Sequence, residues 1–291
     1  MMGIAMAETL ALKPKIQKQA DTLLAEREKP SRPALVSQAL ILCPLPYRKP
    51  KDTILERVTR IPGGNITVPF AATRKGVSLP FGNDAVLLDL LCSEARRKKD
   101  REITFDRAKE LLEMLELEDT TSGRSYQRVR ERLVRLASVV ISVSRAQAGF
   151  NVRLVDSWDF STNKEAKTES QGAKRLFPYA IRFSQEFFED LMSYYVPIPE
   201  KVLVAFKSNP TEYHLMKRIT HRALVARSES VIPWDELREE LGNRDSNASR
   251  FKGDVRKVLQ KLALAWMDMP LSFTEGKLGL EVHPKQVKVL P

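Results

Sequence analysis

The sequence predicts an α+β protein of two tandem domains related by an internal repeat, with an N-terminal tail. Three observations predict it. The order helix, helix, helix, hairpin occurs in both halves of the chain. Two stretches match between the halves: Ile103-Thr104-Phe105-Asp106 with Ile232-Pro233-Trp234-Asp235, and Val129-Arg130-Glu131-Arg132-Leu133-Val134-Arg135-Leu136-Ala137 with Val255-Arg256-Lys257-Val258-Leu259-Gln260-Lys261-Leu262-Ala263. Pro197 and Pro199 separate them. Two matches in the same order, each followed by a hairpin, mark a repeated supersecondary unit.

Each element has its own local signal. Residues 1–45 read as a flexible tail, broken by Pro14, Pro30, Pro33, Pro44 and Pro46, with one short helix over 15–27. Residues 65–70 read as a strand. Residues 85–97 read as a helix whose Leu87, Leu88, Leu91, Cys92 and Ala95 share a face. A second helix is expected over 105–115, capped by Thr104, and a third over 124–137. The β-branched run 139–143 and the alternating run 150–155 make a hairpin turning near 147–149. A polar loop over 161–173, a strand over 177–183 and a helix capped by Ser184 complete the first domain, residues 46–197. The second domain, 198–291, repeats the plan with helices over 211–227, 234–241 and 250–266 and a hairpin over 271–282 that turns near Gly276.

Three helices and a hairpin are the winged-helix plan, a helix-turn-helix variant whose third helix enters the DNA major groove. The charge balance agrees. The 48 Lys and Arg residues against 37 Asp and Glu give a net charge of +11, which suits an anionic partner. Cys43 and Cys92, the two cysteines, have no ligand-like spacing and suit a reducing, cytoplasmic setting. No apolar run is long enough to span a bilayer, and the start of the chain has no signal-peptide pattern, so no membrane partner is expected. No phosphate loop, nucleophile–base pair or ligand cluster is visible. We therefore expect no catalytic residues, no cofactor, no metal and no enzymatic activity.

The candidate DNA-binding residues follow from helix faces. In the third helix of the first domain Tyr126, Val129, Leu133 and Leu136 point to the core, leaving Arg124, Ser125, Gln127, Arg128 and Arg135 as candidates. In the second domain Val255, Leu259 and Leu262 point inward. Asn243, Arg244, Asn247, Ser249, Arg250, Lys252, Lys257 and Lys261 are the candidates there. Arg can read guanine O6 and N7 with two bonds, Asn can do the same at adenine, and Ser or Lys can hold phosphate. Arg145 and Lys277 are the wing candidates. Phe105 and Trp234 stand at matching positions and are read as core, not as base-stacking residues.

Four segments carry a family resemblance: Leu79-Pro80-Phe81-Gly82 with Ser93-Glu94-Ala95; Arg101-Glu102-Ile103 with Gly123 and the Arg-rich helix; Phe183-Ser184-Gln185-Glu186-Phe187-Phe188 with Val196-Pro197-Ile198; and Ile232-Pro233-Trp234-Asp235-Glu236-Leu237. With them the sequence resembles the plasmid RepA-type replication initiators over about residues 57–280. The family commonly shows a Ser-Trp pair where this chain has Pro233-Trp234, and its linker between the second and third helices of the first domain is longer and richer in Gly. The resemblance implies binding to directly repeated origin sequences (iterons) in double-stranded DNA, opening of an A·T-rich stretch, and recruitment of a host initiator and replicative helicase. It also implies a homodimer in equilibrium with an active monomer. The first domain is expected to dimerise and touch the DNA backbone, the second to supply the principal sequence-specific binding. A transcriptional repressor shares every DNA-binding feature, and only the resemblance favours the initiator. A rolling-circle nickase would need a metal-binding His pair. His214 and His221 lie seven apart on a helix with no acidic partners and are read as structural.

Overall fold

The computed structural model describes residues 33–61, 64–105, 110, 123–145, 148–159, 179–225, 228–240, 248–266 and 271–284. The expected helix over 15–27 and the expected loop over 161–173 lie outside them. A strand, β1 (Pro33–Ser37), and a short helix, α1 (Gln38–Leu42), come first. β1 pairs antiparallel with a later strand, Tyr195–Pro199, placing Pro33 opposite Pro199 and Ser37 opposite Tyr195. This corrects the expected tail of 1–45. From Pro33 onward the chain is not a tail, because Ala34, Val36, Leu40, Ile41, Leu42, Cys43 and Leu45 are buried. Of the prolines that suggested a linker, Pro33 stands where a strand tolerates it: it opens an isolated two-stranded ribbon, where a missing N–H breaks no central ladder.

Next come β2 (Ile54–Ile61) and β3 (Gly64–Ala72), then the helix α2 (Asp84–Lys98) and a short strand, β4 (Glu102–Phe105). α2 is buried from Asp84 to Ser93 and again at Ala95, more widely than the one face its spacing suggests. Its basic last turn, Arg96-Arg97-Lys98, faces the negative end of the helix dipole, and Lys99 ends it in the left-handed region at φ 54°. Thr104 and Phe105 belong to β4 and not to the start of a helix. Alternation decides this: Ile103 and Phe105 are buried, Glu102 and Thr104 less so, and the strand pairs with Tyr179–Phe183.

α3 (Gly123–Ala137) leads into β5 (Val139–Arg145) and β6 (Ala148–Arg153), followed by β7 (Val155–Asp159) and β8 (Tyr179–Phe183). The β5–β6 hairpin forms where the alternation predicts it, but it is not the wing. It extends the β2–β3 pair into an antiparallel sheet of order β2-β3-β5-β6. β7 and β8 stand in a separate sheet of order β4-β8-β7.

The helix α4 (Gln185–Ser193), capped by Ser184 Oγ accepting from the Phe187 N–H at 3.2 Å, leads to β9 (Tyr195–Pro199) and α5 (Glu200–Phe206). The second module follows: α6 (Pro210–Val225), β10 (Ser230–Pro233), α7 (Trp234–Glu240), α8 (Ala248–Ala265), β11 (Leu271–Glu275) and β12 (Gly279–Pro284). Its sheet runs β10-β12-β11. In both modules the strand after the first helix therefore pairs with the last strand, and the last strand with the one before it. The repeat seen in sequence is a repeat of topology. Ile103 faces Ile181 and Ile232 faces Leu280 at equivalent places, all four buried. The first module differs by the β5–β6 hairpin inserted between α3 and the β7 and β8 strands.

α6 lies between the modules. Every residue from Tyr213 to His221 is buried, including His214, Lys217, Arg218, Thr220 and His221. Buried charge must be paired. Lys217 Nζ lies 2.6 Å from Asp89 Oδ2 on α2, and the Tyr213 hydroxyl donates to the same oxygen at 2.7 Å. One carboxylate of the first module thus holds two groups of the second. Burial, then the Asp89 charge, pushes the Tyr213 hydroxyl well above its ordinary range, so it remains a donor.

Candidate nucleic-acid interface

The third helices present one polar face each because their other face is committed to the core. On α3, Val129, Leu133 and Leu136 are buried while Gln127, Arg128, Arg130 and Glu131 are exposed. Gln127 Nε2 donates to Glu131 Oε1 at 3.3 Å, one helical turn away. Arg124 and Ser125 stand in the first turn, their side chains outside the described residues. On α8, Phe251, Val255, Val258 and Leu262 are buried, while Ser249, Arg250, Arg256 and Lys257 are exposed. Lys257 Nζ pairs with Asp254 at 3.1 Å. Arg124 and Arg250 are equivalent in the repeat, each in the first turn of its helix, where helix-turn-helix proteins reach base edges. Asn243, Arg244 and Asn247 lie outside the described residues.

Two expected DNA contacts turn inward instead. Arg135 donates from Nε to Asp84 Oδ2 at 2.7 Å and from an Nη to Asp84 Oδ1 at 2.9 Å, and its guanidinium carbon sits 4.8 Å from the Phe81 ring centroid. Lys261, its equivalent in the second module, places Nζ 3.4 Å from Glu212 Oε2 and 4.4 Å from the Phe206 ring centroid. Each cation binds the last part of the third helix to a carboxylate in the first turn of the first helix, beside an aromatic ring. This corrects both assignments: each cation ties two helices of its own module and is not aimed at phosphate. A sequence signal existed for them. Positions 135 and 261 coincide in the repeat, and an acidic residue opens each first helix.

Further ties orient the same surface. Arg132 Nε lies 3.8 Å from Asp84 Oδ1. Burial pulls the Arg132 guanidinium below its ordinary value, opposed by the Asp84 carboxylate. In the second module Arg256 donates to Glu275 at 2.8 Å, joining α8 to β11. Lys252 Nζ lies 5.0 Å above the Trp234 ring, and the Trp234 indole N–H donates to the Gly276 carbonyl at 3.2 Å. Trp234 is buried, as expected of a core residue, and it also couples the first half of α8 to the wing turn.

Lys277 is exposed at that turn. Arg145 ends β5, opposite Ile66 and Ala148, in the inserted sheet and not in the wing, which corrects its expected place. His214 and His221 are buried in α6. His221 Nε2 meets the Gln38 amide at 3.0 Å, and burial, then Arg218 and Arg222, lowers its pKa to about 4.

No family model matches this sequence, and no curated protein matches it. Solved structures do match. A crystal structure of RctB domains 2–3 superposes with a TM-score of 0.53 at 15% identity, covering 84% of this chain and 96% of that one. A selenomethionine structure of RctB domains 2 and 3 gives 0.55 at 15% identity, with 86% and 96% covered. The chain has the fold of RctB domains 2 and 3. The RctB likeness spans both modules here, so the pairing of the two modules belongs to the shared fold. No helix among the described residues is long and apolar enough to cross a membrane.

Proposed function

We propose that this protein is a replication initiator that binds double-stranded DNA in a sequence-specific way. The observation that carries the reading is the tandem arrangement it shares with RctB domains 2 and 3, together with the exposed polar side chains of this chain's own third helices, Gln127 and Arg128 on α3 and Ser249, Arg250 and Lys257 on α8. Arg124 and Arg250 read bases, while Arg128, Ser249 and Lys257 hold the backbone. Lys252 and Lys277 approach the flank beside the second wing. The protein works by binding, without nicking, ATPase or polymerase chemistry and without a cofactor. In the finer form of the reading it is a plasmid initiator acting in the cytoplasm on directly repeated origin sequences. The monomer opens the adjacent A·T-rich DNA and recruits a host initiator and helicase. The dimer, joined through the first module, is its inactive partner form.

Footprinting tests this. Two unlike modules reading successive major grooves protect roughly 15–22 base pairs of an asymmetric sequence. Protection of about half that length would mean that one module binds. A palindromic footprint bound by a dimer would favour a repressor.

A further inference from the structure

The second wing carries an apolar side chain where a DNA-binding wing is expected to carry only cations. Leu278 is 84% exposed, at the turn between β11 and β12. A lone exposed leucine means little by itself. The backbone around this one is held at several points. Gly276 N–H donates to the Gly279 carbonyl at 3.0 Å, the Trp234 N–H donates to the Leu278 carbonyl at 3.2 Å, and the Trp234 indole holds the Gly276 carbonyl. Gly279 packs so closely on β10 that a Cβ there would lie 2.1 Å from the Ile232 carbonyl oxygen. The turn is therefore pinned to the start of α7, and the leucine side chain is left projecting. Cations flank it: Lys277 is its exposed neighbour, and Lys252 lies over the same Trp234 ring.

We propose that Leu278 is an apolar wedge that enters the minor groove of duplex DNA beside the site read by α8. Resting on the DNA-binding reading above, the assignment gives the second wing a part in deforming DNA as well as gripping it. Proteins that kink duplexes insert leucine, isoleucine or phenylalanine between base steps and recover the unstacking cost through added contact. A wedge must be apolar, exposed before binding and backed by rigid backbone, and Leu278 meets all three conditions. Lys277 and Lys252 draw the phosphates on either side toward the turn. The same wedge supplies local unstacking, which strand opening requires.

The test starts from duplexes enriched out of a random pool by the full wild-type chain, with 2-aminopurine placed at successive positions. Leu278→Ala should bind them about tenfold more weakly, the scale of one lost buried leucine. Its dependence of log K on log salt should stay that of the wild type, and the 2-aminopurine signal at one flanking step should vanish. Leu278→Met should stay within about threefold of the wild type. Lys277→Ala should instead lower the salt slope by about one unit. Because Leu278 is exposed, its variants should melt with the wild type. Wild-type affinity in Leu278→Ala would overturn the wedge while leaving DNA binding intact, as would a fall in its salt slope, which would make the leucine a mere seat for Lys277. If no duplex is enriched, the DNA-binding reading fails first and the wedge falls with it.

Discussion

Arg135 and Lys261 hold the same place in the two modules and bind their first helices with unequal strength. The first joint is a two-pronged guanidinium–carboxylate pair with side chains only 17% and 2% exposed, and its carboxylate also accepts the Phe81 N–H at 3.0 Å. The second is a single ammonium contact at 3.4 Å with side chains 14% and 23% exposed. Its Glu212 is held on the other side by the Asn209 amide at 2.9 Å. Arginine offers a planar fork matched to a carboxylate, whereas lysine offers a point charge. The third helix of the first module is thus locked to its core. That of the second is held more loosely, with a further tie to its wing through Arg256.

If burial sets the cost of breaking each contact, the largest loss should come from the pair between the modules. Lys217→Ala leaves Asp89 charged and buried, and should destabilise the protein by about 3–5 kcal/mol in urea denaturation. The double change Asp89→Leu with Lys217→Met removes both charges and should recover most of that loss. A cost for Lys217→Ala below about 1 kcal/mol would show that the modules do not depend on this contact.

Next comes the contrast between the joints. Asp84→Ala strands a mostly buried guanidinium and should cost about 3 kcal/mol. Glu212→Ala, at a wetter and longer contact, should cost about 1 kcal/mol. Equal losses in denaturant melts would erase the distinction between the modules.

A further effect is expected with pH. His221 titrates near 6.5 when unfolded and at about 4 when folded, so the unfolded chain binds the extra proton first. Its contribution is intact above the unfolded pKa and is lost as pH falls from about 6.5 toward about 4. The slope approaches about 1.4 kcal/mol per pH unit at most. His221→Gln should flatten stability against pH in that window, and an unchanged slope would place the histidine in water.

DNA binding separates the inward cation from the outward one. Lys257→Ala should weaken binding to all duplexes alike and reduce the salt slope by about one unit. Lys261→Ala should leave the slope unchanged. Arg250→Ala should cost about 1–3 kcal/mol and relax preference at one base position. A loss shared by cognate and scrambled duplexes would remove Arg250 from base reading.

Local sequence signals located several elements directly. Period 3.6 located α2, α3, α6, α7 and α8, alternation located β3 and the β5–β6 hairpin, and the repeated Ile-x-aromatic frame identified equivalent core positions in both halves. The sequence also found buried positions on each third helix, Val129, Leu133 and Leu136 on α3 and Val255 and Leu262 on α8, because an apolar stripe depends only on residues three and four apart. Tertiary structure decided what depends on partners far along the chain. β1 reads as a proline-broken tail until β9, more than 150 residues later, supplies its ladder. Arg135 and Lys261 look like surface cations on a basic helix until Asp84 and Glu212 arrive from another helix. The wing could not be assigned either: a strand's spacing tells which side chains alternate, while its sheet neighbours are set by long-range pairing. In the first module that pairing sends β5 and β6 to β2–β3 and leaves β7 and β8 to complete the repeated sheet.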